Sequence, residues 1–365
     1  MKNKISRLQE IMQAQNIDAV AMVPGANFYH VTRGSFGLME RPTIIIIPVD
    51  GAPVGIIPVL EMPAFSALKT GATTFEWQDN DGFQHAFNAA AKHLGSIRRL
   101  GVEGQRMRVF EAQAFKQAFG SIEIVNMQAP ISSLRLCKTP EEISLLQKAV
   151  DISEAALEDT IAAVKVGMTE RDIATMLVNR MSDHGSHGLS FDPIVAAADN
   201  AAEPHAHVRS DYNIMEGDAL LIDFGAVFNR YCADITRTFF VGDVSDEHRS
   251  FYEAVRGANE AGHTVTKAGA TAHDVDDAVQ LFLENSGYGE YVLTKTGHGL
   301  GLDVHEDPYI MRGNHMVLEP GMVFTNEPGL YKPGDLGVRI EDDVVVTTDG
   351  YQCLTSFTKE LRIVG

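Results

Sequence analysis

Two aspartates in apolar surroundings are the first residues here whose types and spacing suggest chemistry. Gly217-Asp218-Ala219-Leu220-Leu221-Ile222-Asp223-Phe224-Gly225 and Arg230-Tyr231-Cys232-Ala233-Asp234-Ile235-Thr236-Arg237 both read as strands, separated by a gap of hairpin length. A turn centred on Phe228-Asn229 sets Asp223 directly opposite Asp234. Directly paired side chains have Cβ atoms about 5 Å apart, and like charges there are destabilising. Leu221, Ile222 and Ile235 imply burial, which makes two bare carboxylates costlier still. Either one of them is protonated or a cation sits between them.

Further groups of the right kind follow. Gly297-His298-Gly299 puts an imidazole between two residues that add no side-chain bulk. Thr325-Asn326-Glu327-Pro328-Gly329 closes the apolar run Met322–Phe324 with a carboxylate, and Val338-Arg339-Ile340-Glu341-Asp342-Asp343 embeds acids in a β-forming stretch. Acids in such stretches are expensive unless paired or coordinated. Asp342 and Asp343 read as a solvated acidic corner beside Glu341. Four carboxylates and one imidazole make a hard, oxygen-rich site suited to Mn²⁺, Co²⁺ or Zn²⁺. Two carboxylates able to bridge suggest two metals about 3.5–4 Å apart, the arrangement that activates water.

Other chemistries lack their residues. Cys137, Cys232 and Cys353 form no C-x-x-C pair and read as buried small hydrophobes, so thiol redox chemistry and thiolate zinc sites are excluded. The glycines at 297, 299 and 301 mimic a phosphate loop, but no Gly-Lys-Ser/Thr follows them. No G-x-S-x-G occurs, which removes the nucleophile-elbow serine route.

The elements that must position these residues fall in two parts. Up to about residue 133 the chain reads as an α/β domain. Ile5, Leu8, Ile11 and Met12 mark a helical face over 4–16, short apolar runs fit strands at Ala19–Val23, Thr43–Pro48, Val54–Val59 and 99–103, and 84–94 is helical. Beyond it, 134–365 reads as a mixed α+β domain. Thr139-Pro140-Glu141-Glu142 is a capping box with proline at the first helical position, and Thr169, Ser245 and Thr271 open further helices. Strands fit 218–224, 232–241, 322–327 and 338–347. Met and Leu over 171–181 are core packing.

With 365 residues, 45% of them apolar, the chain has material for two buried cores. Of 30 Lys/Arg and 49 Asp/Glu, residues 1–135 hold 13 and 11, leaving 17 and 38 beyond them. An acidic second half disfavours nucleic acid and anionic membranes as partners and suits a binder of cations. No apolar run approaches a membrane span, and Gln9, Glu10, Gln13 and Gln15 break up the stretch behind the basic N-terminus. A cytoplasmic protein is expected.

The ordered set I-D-F-G, A-D-I-T-R-T-F, T-G-H-G-L-G-L-D-V-H-E, N-E-P-G and G-V-R-I-E-D resembles the metallopeptidase family of prolidase, aminopeptidase P and methionine aminopeptidase. The likeness covers nearly the whole chain. It implies a creatinase-type N-terminal domain over 1–133 and a pita-bread catalytic domain over 134–365. It implies that Asp223, Asp234, His298, Glu327 and Glu341 hold two divalent ions, most simply Mn²⁺. Asp234 and Glu341 would bridge, Asp223 would bind one ion, and His298 and Glu327 would complete the other shell. Glu327 would also relay a proton. Ala202-Glu203-Pro204-His205 resembles the family's A-x-P-H segment, which implies an active-site histidine at His205, with His207 as the alternative. His305 matches the second histidine after the ligand histidine, and Arg339 matches an arginine that docks substrate or orders the site. Thr294 departs from the family, which often has histidine four residues before the ligand. The implied activity is hydrolysis of Xaa-Pro bonds in small peptides by a homodimer. A dipeptidase is the first reading, aminopeptidase P on longer peptides the second, and a non-peptide amidinohydrolase or lyase on the same fold the third. A binding protein that has lost its catalysis is disfavoured by the intact ligand set.

Overall fold

Along the strands of the N-terminal part, successive side chains enter different cores. The structure, a computed structural model, describes residues 2–365, which form two units divided between Arg135 and Leu136. The first contains α1 (Lys2–Ala14), β1 (Ala19–Met22), α2 (Ala26–Thr32), β2 (Ile44–Pro48), β3 (Val54–Pro58), α3 (Met62–Ala67), β4 (Thr73–Trp77), α4 (Gln84–Leu94), β5 (Arg99–Val102), α5 (Val109–Phe119), β6 (Glu123–Asn126) and α6 (Gln128–Ser132). Its mixed sheet runs β4-β3-β2-β1-β5-β6. Ala19, Ala21, Ile44 and Ile46 pack with Phe87 of α4 and Phe115 of α5 on one face. Val20, Met22, Ile45 and Ile47 pack with Leu8 of α1 and Phe28 of α2 on the other. A sheet covered on both sides needs uninterrupted apolar strands, which is why 44–47 is four isoleucines in a row.

The second unit contains α7 (Pro140–Ile161), α8 (Glu170–Asp183), β7 (Gly188–Leu189), β8 (Ile194–Ala197), β9 (Ala219–Phe224), β10 (Ala226–Phe228), β11 (Tyr231–Cys232), β12 (Ile235–Val241), α9 (Asp246–Val265), α10 (Ala272–Asn285), β13 (Gly297–Gly299), β14 (Glu306–Ile310), β15 (Val323–Asn326), β16 (Gly329–Lys332), β17 (Leu336–Arg339), β18 (Asp342–Val346), β19 (Tyr351–Cys353) and β20 (Ile363–Val364). The helix starts are as the capping residues predict. Glu142 N–H donates to Thr139 Oγ1 at 3.3 Å and Glu142 Oε2 accepts from Thr139 N–H at 3.0 Å. Thr169 and Thr271 cap α8 and α10 with the same reciprocal pair, and at the start of α9 Ser245 Oγ accepts the His248 N–H at 3.1 Å. Strands β20-β12-β9-β8 form one sheet and β14-β13-β15-β18-β19 another; β11-β10-β7 and β16-β17 form two small ones.

Several expectations need correction. The hairpin turns at Asn229-Arg230, where φ is 47° and 73°, a pair of left-handed residues suited to a tight two-residue turn. Asp223 therefore lies opposite Thr236, and Asp234 is two positions away along the strand. The stretch expected as one strand over 232–241 is split into β11 and β12, which belong to different sheets, and 338–347 is likewise split into β17 and β18. Of the cysteines only Cys232 is buried; Cys353 is half-buried and Cys137 is exposed. Asp342 and Asp343 are fully buried. Among the described residues no helix is long and apolar enough to cross a membrane.

Candidate metal centre

The strand breaks gather the acids. Asp234 stands between β11 and β12, Glu327 between β15 and β16, and Glu341 between β17 and β18, each where the chain leaves one sheet for another. Asp223 is one residue from the end of β9, and His298 is the middle residue of β13. Released from a ladder, the backbone there can turn its side chain toward a common point. Close backbone approach requires the glycines: a Cβ on Gly225 would lie 1.7 Å from the Ala233 carbonyl oxygen, and one on Gly297 would lie 1.8 Å from that of Thr325. The glycines beside His298 thus admit neighbouring strands as well as ligands.

Three groups of potential ligand atoms result, each with its members within 4.8 Å of one another: Asp223, Asp234 and Glu341; His298, Glu327 and Glu341; Asp234, His298 and His305. Glu341 is common to the first two, and Asp234 to the first and third. The five predicted ligands are therefore brought together, although Asp223 and Asp234 are not directly opposed. Their oxygens and nitrogen line a cavity of about 420 Å³ with His205, Thr294, Lys295, His305, Tyr331 and Arg339.

The electrostatics disfavour four bare carboxylates, which need protons or a cation. Burial, followed by the neighbouring carboxylates, pushes Asp234 well above the ordinary carboxylate range, and burial does the same to Glu341. Burial pushes Glu327 up to about 7. Asp223 Oδ2 accepts from Arg339 Nη2 at 2.5 Å, while its buried Oδ1 has no partner among the described residues. His298 Nδ1 lies 3.1 Å from the Gly299 carbonyl oxygen, which can only accept, so Nδ1 carries the proton. Burial, reinforced by His305, pushes this imidazole down to about 3, so it is neutral at physiological pH. Its bare Nε2 then faces Glu327 Oε1 at 3.2 Å and Asp234 Oδ2 at 3.5 Å. A lone pair aimed at carboxylate oxygens is repulsive until a proton or a cation lies between them. The residues fit a divalent metal.

Residues 144–348 match metallopeptidase family M24, and residues 4–137 match the creatinase/prolidase N-terminal domain. The chain belongs to family M24. It is a metal-dependent hydrolase with a creatinase-type N-terminal domain and a pita-bread catalytic domain. The whole fold is similar to the recombinant prolidase from Thermococcus sibiricus (TM-score 0.94, 34% identity, covering 100% of this chain and 99% of that one). It is similar to an Xaa-Pro dipeptidase from Bacillus anthracis (0.90, 33%, covering 100% and 99%). It is also similar to the X-Pro aminopeptidase from Thermotoga maritima (0.84, 31%, covering 99% of each).

The other expected M24 residues divide. His305 stacks edge-on against His298, with ring centroids 4.1 Å apart. His205 lines the ligand cavity, whereas His207 lines the neighbouring cavity instead. Arg339 is buried and occupied: Nε donates to Thr236 Oγ1 at 3.0 Å, Nη1 to Tyr331 OH at 2.8 Å and Nη2 to Asp223.

Sequence reasoning missed the supporting acids and hydroxyls. Thr236 Oγ1 donates to Glu341 Oε2 at 2.6 Å. Asp343 Oδ2 accepts the Asp234 backbone N–H at 3.2 Å. Asp342 pairs with Arg237 at 2.7 Å and lies 2.9 Å from His263, with Lys359 at 3.2 Å. Despite burial, the Arg237 guanidinium and these neighbours hold Asp342 well below the usual range. The one available signal was an unbroken hydrophobic run after the acids, Val344-Val345-Val346, which argued against a solvated corner.

Proposed function

We propose that this M24 peptidase is an Xaa-Pro dipeptidase holding two divalent ions, Mn²⁺ by preference, on Asp223, Asp234, His298, Glu327 and Glu341. The observation that supports the two-ion reading is that Asp234, His298 and Glu341 each belong to two ligand groups, and of these only the two carboxylates have an oxygen to offer each ion. Asp234 and Glu341 would be shared between the ions, with Asp223 holding one and His298 and Glu327 the other. The ions supply Lewis acidity to the scissile carbonyl and lower the pKa of water. Around them the chain's own residues bind, orient and move protons. Glu327 carries a proton from water toward the leaving nitrogen. His205 and His305 offer N–H donors to the carbonyl oxygen as it gains charge. Arg339 fixes the orientation of Asp223. This work falls to residues 134–365, and residues 1–133 serve as the support domain. Likeness to proteins described as prolidase and Xaa-Pro dipeptidase supports the proline preference.

The aminopeptidase reading has one specific observation in its favour. A second cavity of about 660 Å³ shares Ile194 and His205 with the ligand cavity and gives a longer peptide somewhere to go. A hydrolysis panel on Mn²⁺-reconstituted protein separates the two. Xaa-Pro dipeptides should be cleaved faster than Xaa-Pro tripeptides, and dipeptides without proline hardly at all. Preference for the tripeptides would replace the dipeptidase with the aminopeptidase, and indifference to proline would remove both.

A further inference from the structure

Two cations, Lys295 and Arg339, line the ligand cavity. Arg339 spends its Nε, Nη1 and Nη2 on Thr236, Tyr331 and Asp223. Lys295 is exposed, and its ammonium meets no carboxylate or carbonyl of the described residues; its neighbour is the Tyr309 ring, with the centroid 5.6 Å away. A lysine in this neighbourhood has acids within reach of its charge, which is felt at Glu327 as well as at His298 and His305. Yet it pairs with none of them.

Its backbone, by contrast, is clamped on both sides. Thr294 O accepts from Gln280 Nε2 at 3.2 Å, Thr296 N–H donates to Asp276 Oδ1 at 2.8 Å, and Thr296 O accepts from Glu327 N–H at 2.7 Å. The stem therefore leaves a fixed point two residues before β13 and carries a mobile point charge to the cavity wall. The cavity's inner wall is acidic, so an anionic end of a substrate would be repelled there and held only by a cation with donors to spare. Arg339 is buried with all three guanidinium nitrogens engaged, whereas Lys295 is exposed with its ammonium uncommitted among the described residues, so Lys295 is the lining cation placed to do this.

We propose that Lys295 determines the specificity of this site by binding a carboxylate of the substrate at the cavity wall while the scissile bond lies over the acids. The inference rests on the peptidase reading above. The carboxylate has two possible sources, the α-carboxylate of an Xaa-Pro dipeptide or an acidic side chain just beyond proline in a longer peptide.

The test compares the metal-loaded full chain with Lys295→Met and Lys295→Arg on Ala-Pro, on its C-terminal amide and on Ala-Pro-Glu amide. If Lys295 holds the α-carboxylate, Lys295→Met raises KM for Ala-Pro about tenfold with kcat within about twofold, the signature of lost uniform binding. The neutral dipeptide amide should shift by less than about twofold, and Lys295→Arg should recover most of the loss. A loss confined to Ala-Pro-Glu amide assigns the same role toward an acidic side chain. Equal losses on Ala-Pro and its amide, or no loss on any of the three substrates, overturn the proposal. Failure of the peptidase reading is distinct: wild-type protein then cleaves none of the three. The acid-minus-amide difference in calorimetric affinity still decides the role of Lys295, because it needs no turnover.

Discussion

Arg339 touches both halves of the ligand set, through Asp223 directly and through Thr236 to Glu341. Removing it leaves the Asp223 carboxylate without the hydrogen-bond donor it has among the described residues and frees Thr236 to rotate away from Glu341. Arg339→Met should therefore lower bound metal and kcat together, by about 10- to 100-fold, as loss of an orienting partner does at metal sites. An arginine that gripped substrate would give another result, a raised KM with metal content intact. Glu341→Gln tests the adjoining ligand: the shape stays, one negative charge leaves a group shared between two ligand sets, and metal affinity and turnover should fall in parallel. Metal analysis per chain alongside steady-state kinetics reads both variants. Unchanged metal and unchanged rates in Glu341→Gln would take Glu341 out of the site and the two-metal reading with it.

Strands that change sheet are what bring distant acids together, and the glycines at those crossings set the spacing. Gly297→Ala drives a Cβ into the Thr325 carbonyl and pushes β13 off β15, so stability should drop by about 3 kcal/mol and metal content should fall. Gly188, whose added Cβ meets nothing within 4 Å, is the control, and Gly188→Ala should stay within about 0.5 kcal/mol by denaturant midpoint. An intact His298 shell in Gly297→Ala would show that the crossing tolerates more than its geometry suggests. Local features of this kind were legible in the sequence to differing degrees. Caps such as Thr139 and Thr271 depend on residues three apart, and the buried strands declare themselves as runs such as 44–47. The acids at 223, 234, 327 and 341 stood out because carboxylates are expensive in β-forming stretches. The hairpin register did not, because Asn229-Arg230 adopts two left-handed conformations without the glycine that normally marks such a turn. The burial of Asp342 was hidden for a different reason: its partners Arg237 and His263 lie some eighty to one hundred residues away.

At the scale of the molecule, a net charge of −19 with its excess in residues 136–365 makes metal, pH and stability one problem. Burial raises Asp234, Glu341 and Asp343 and brings Glu327 to about 7 in the folded state. Unfolded, these groups titrate near 4. A raised folded pKa contributes stability that is present below about pH 4 and is lost as pH climbs through the folded value. Asp342 works in the opposite direction: its depressed carboxyl stabilises above about pH 4, and that contribution disappears as the solution is acidified further. Chelated protein should therefore be most stable on the acidic side of neutrality and lose stability from pH 5 to pH 8. Metal competes with the same protons, so its binding must strengthen as pH rises. At a free concentration one hundred times its dissociation constant it adds about 2.7 kcal/mol, a rise in Tm of roughly 5–10 °C for a unit of this size. The difference in Tm between Mn²⁺-loaded and EDTA-treated protein should accordingly widen from pH 5 to pH 8 in scanning calorimetry. Parallel curves would mean that the raised carboxyls are not the groups that receive the metal, and the shared-ligand site would have to be abandoned even if the enzyme proved metal-dependent.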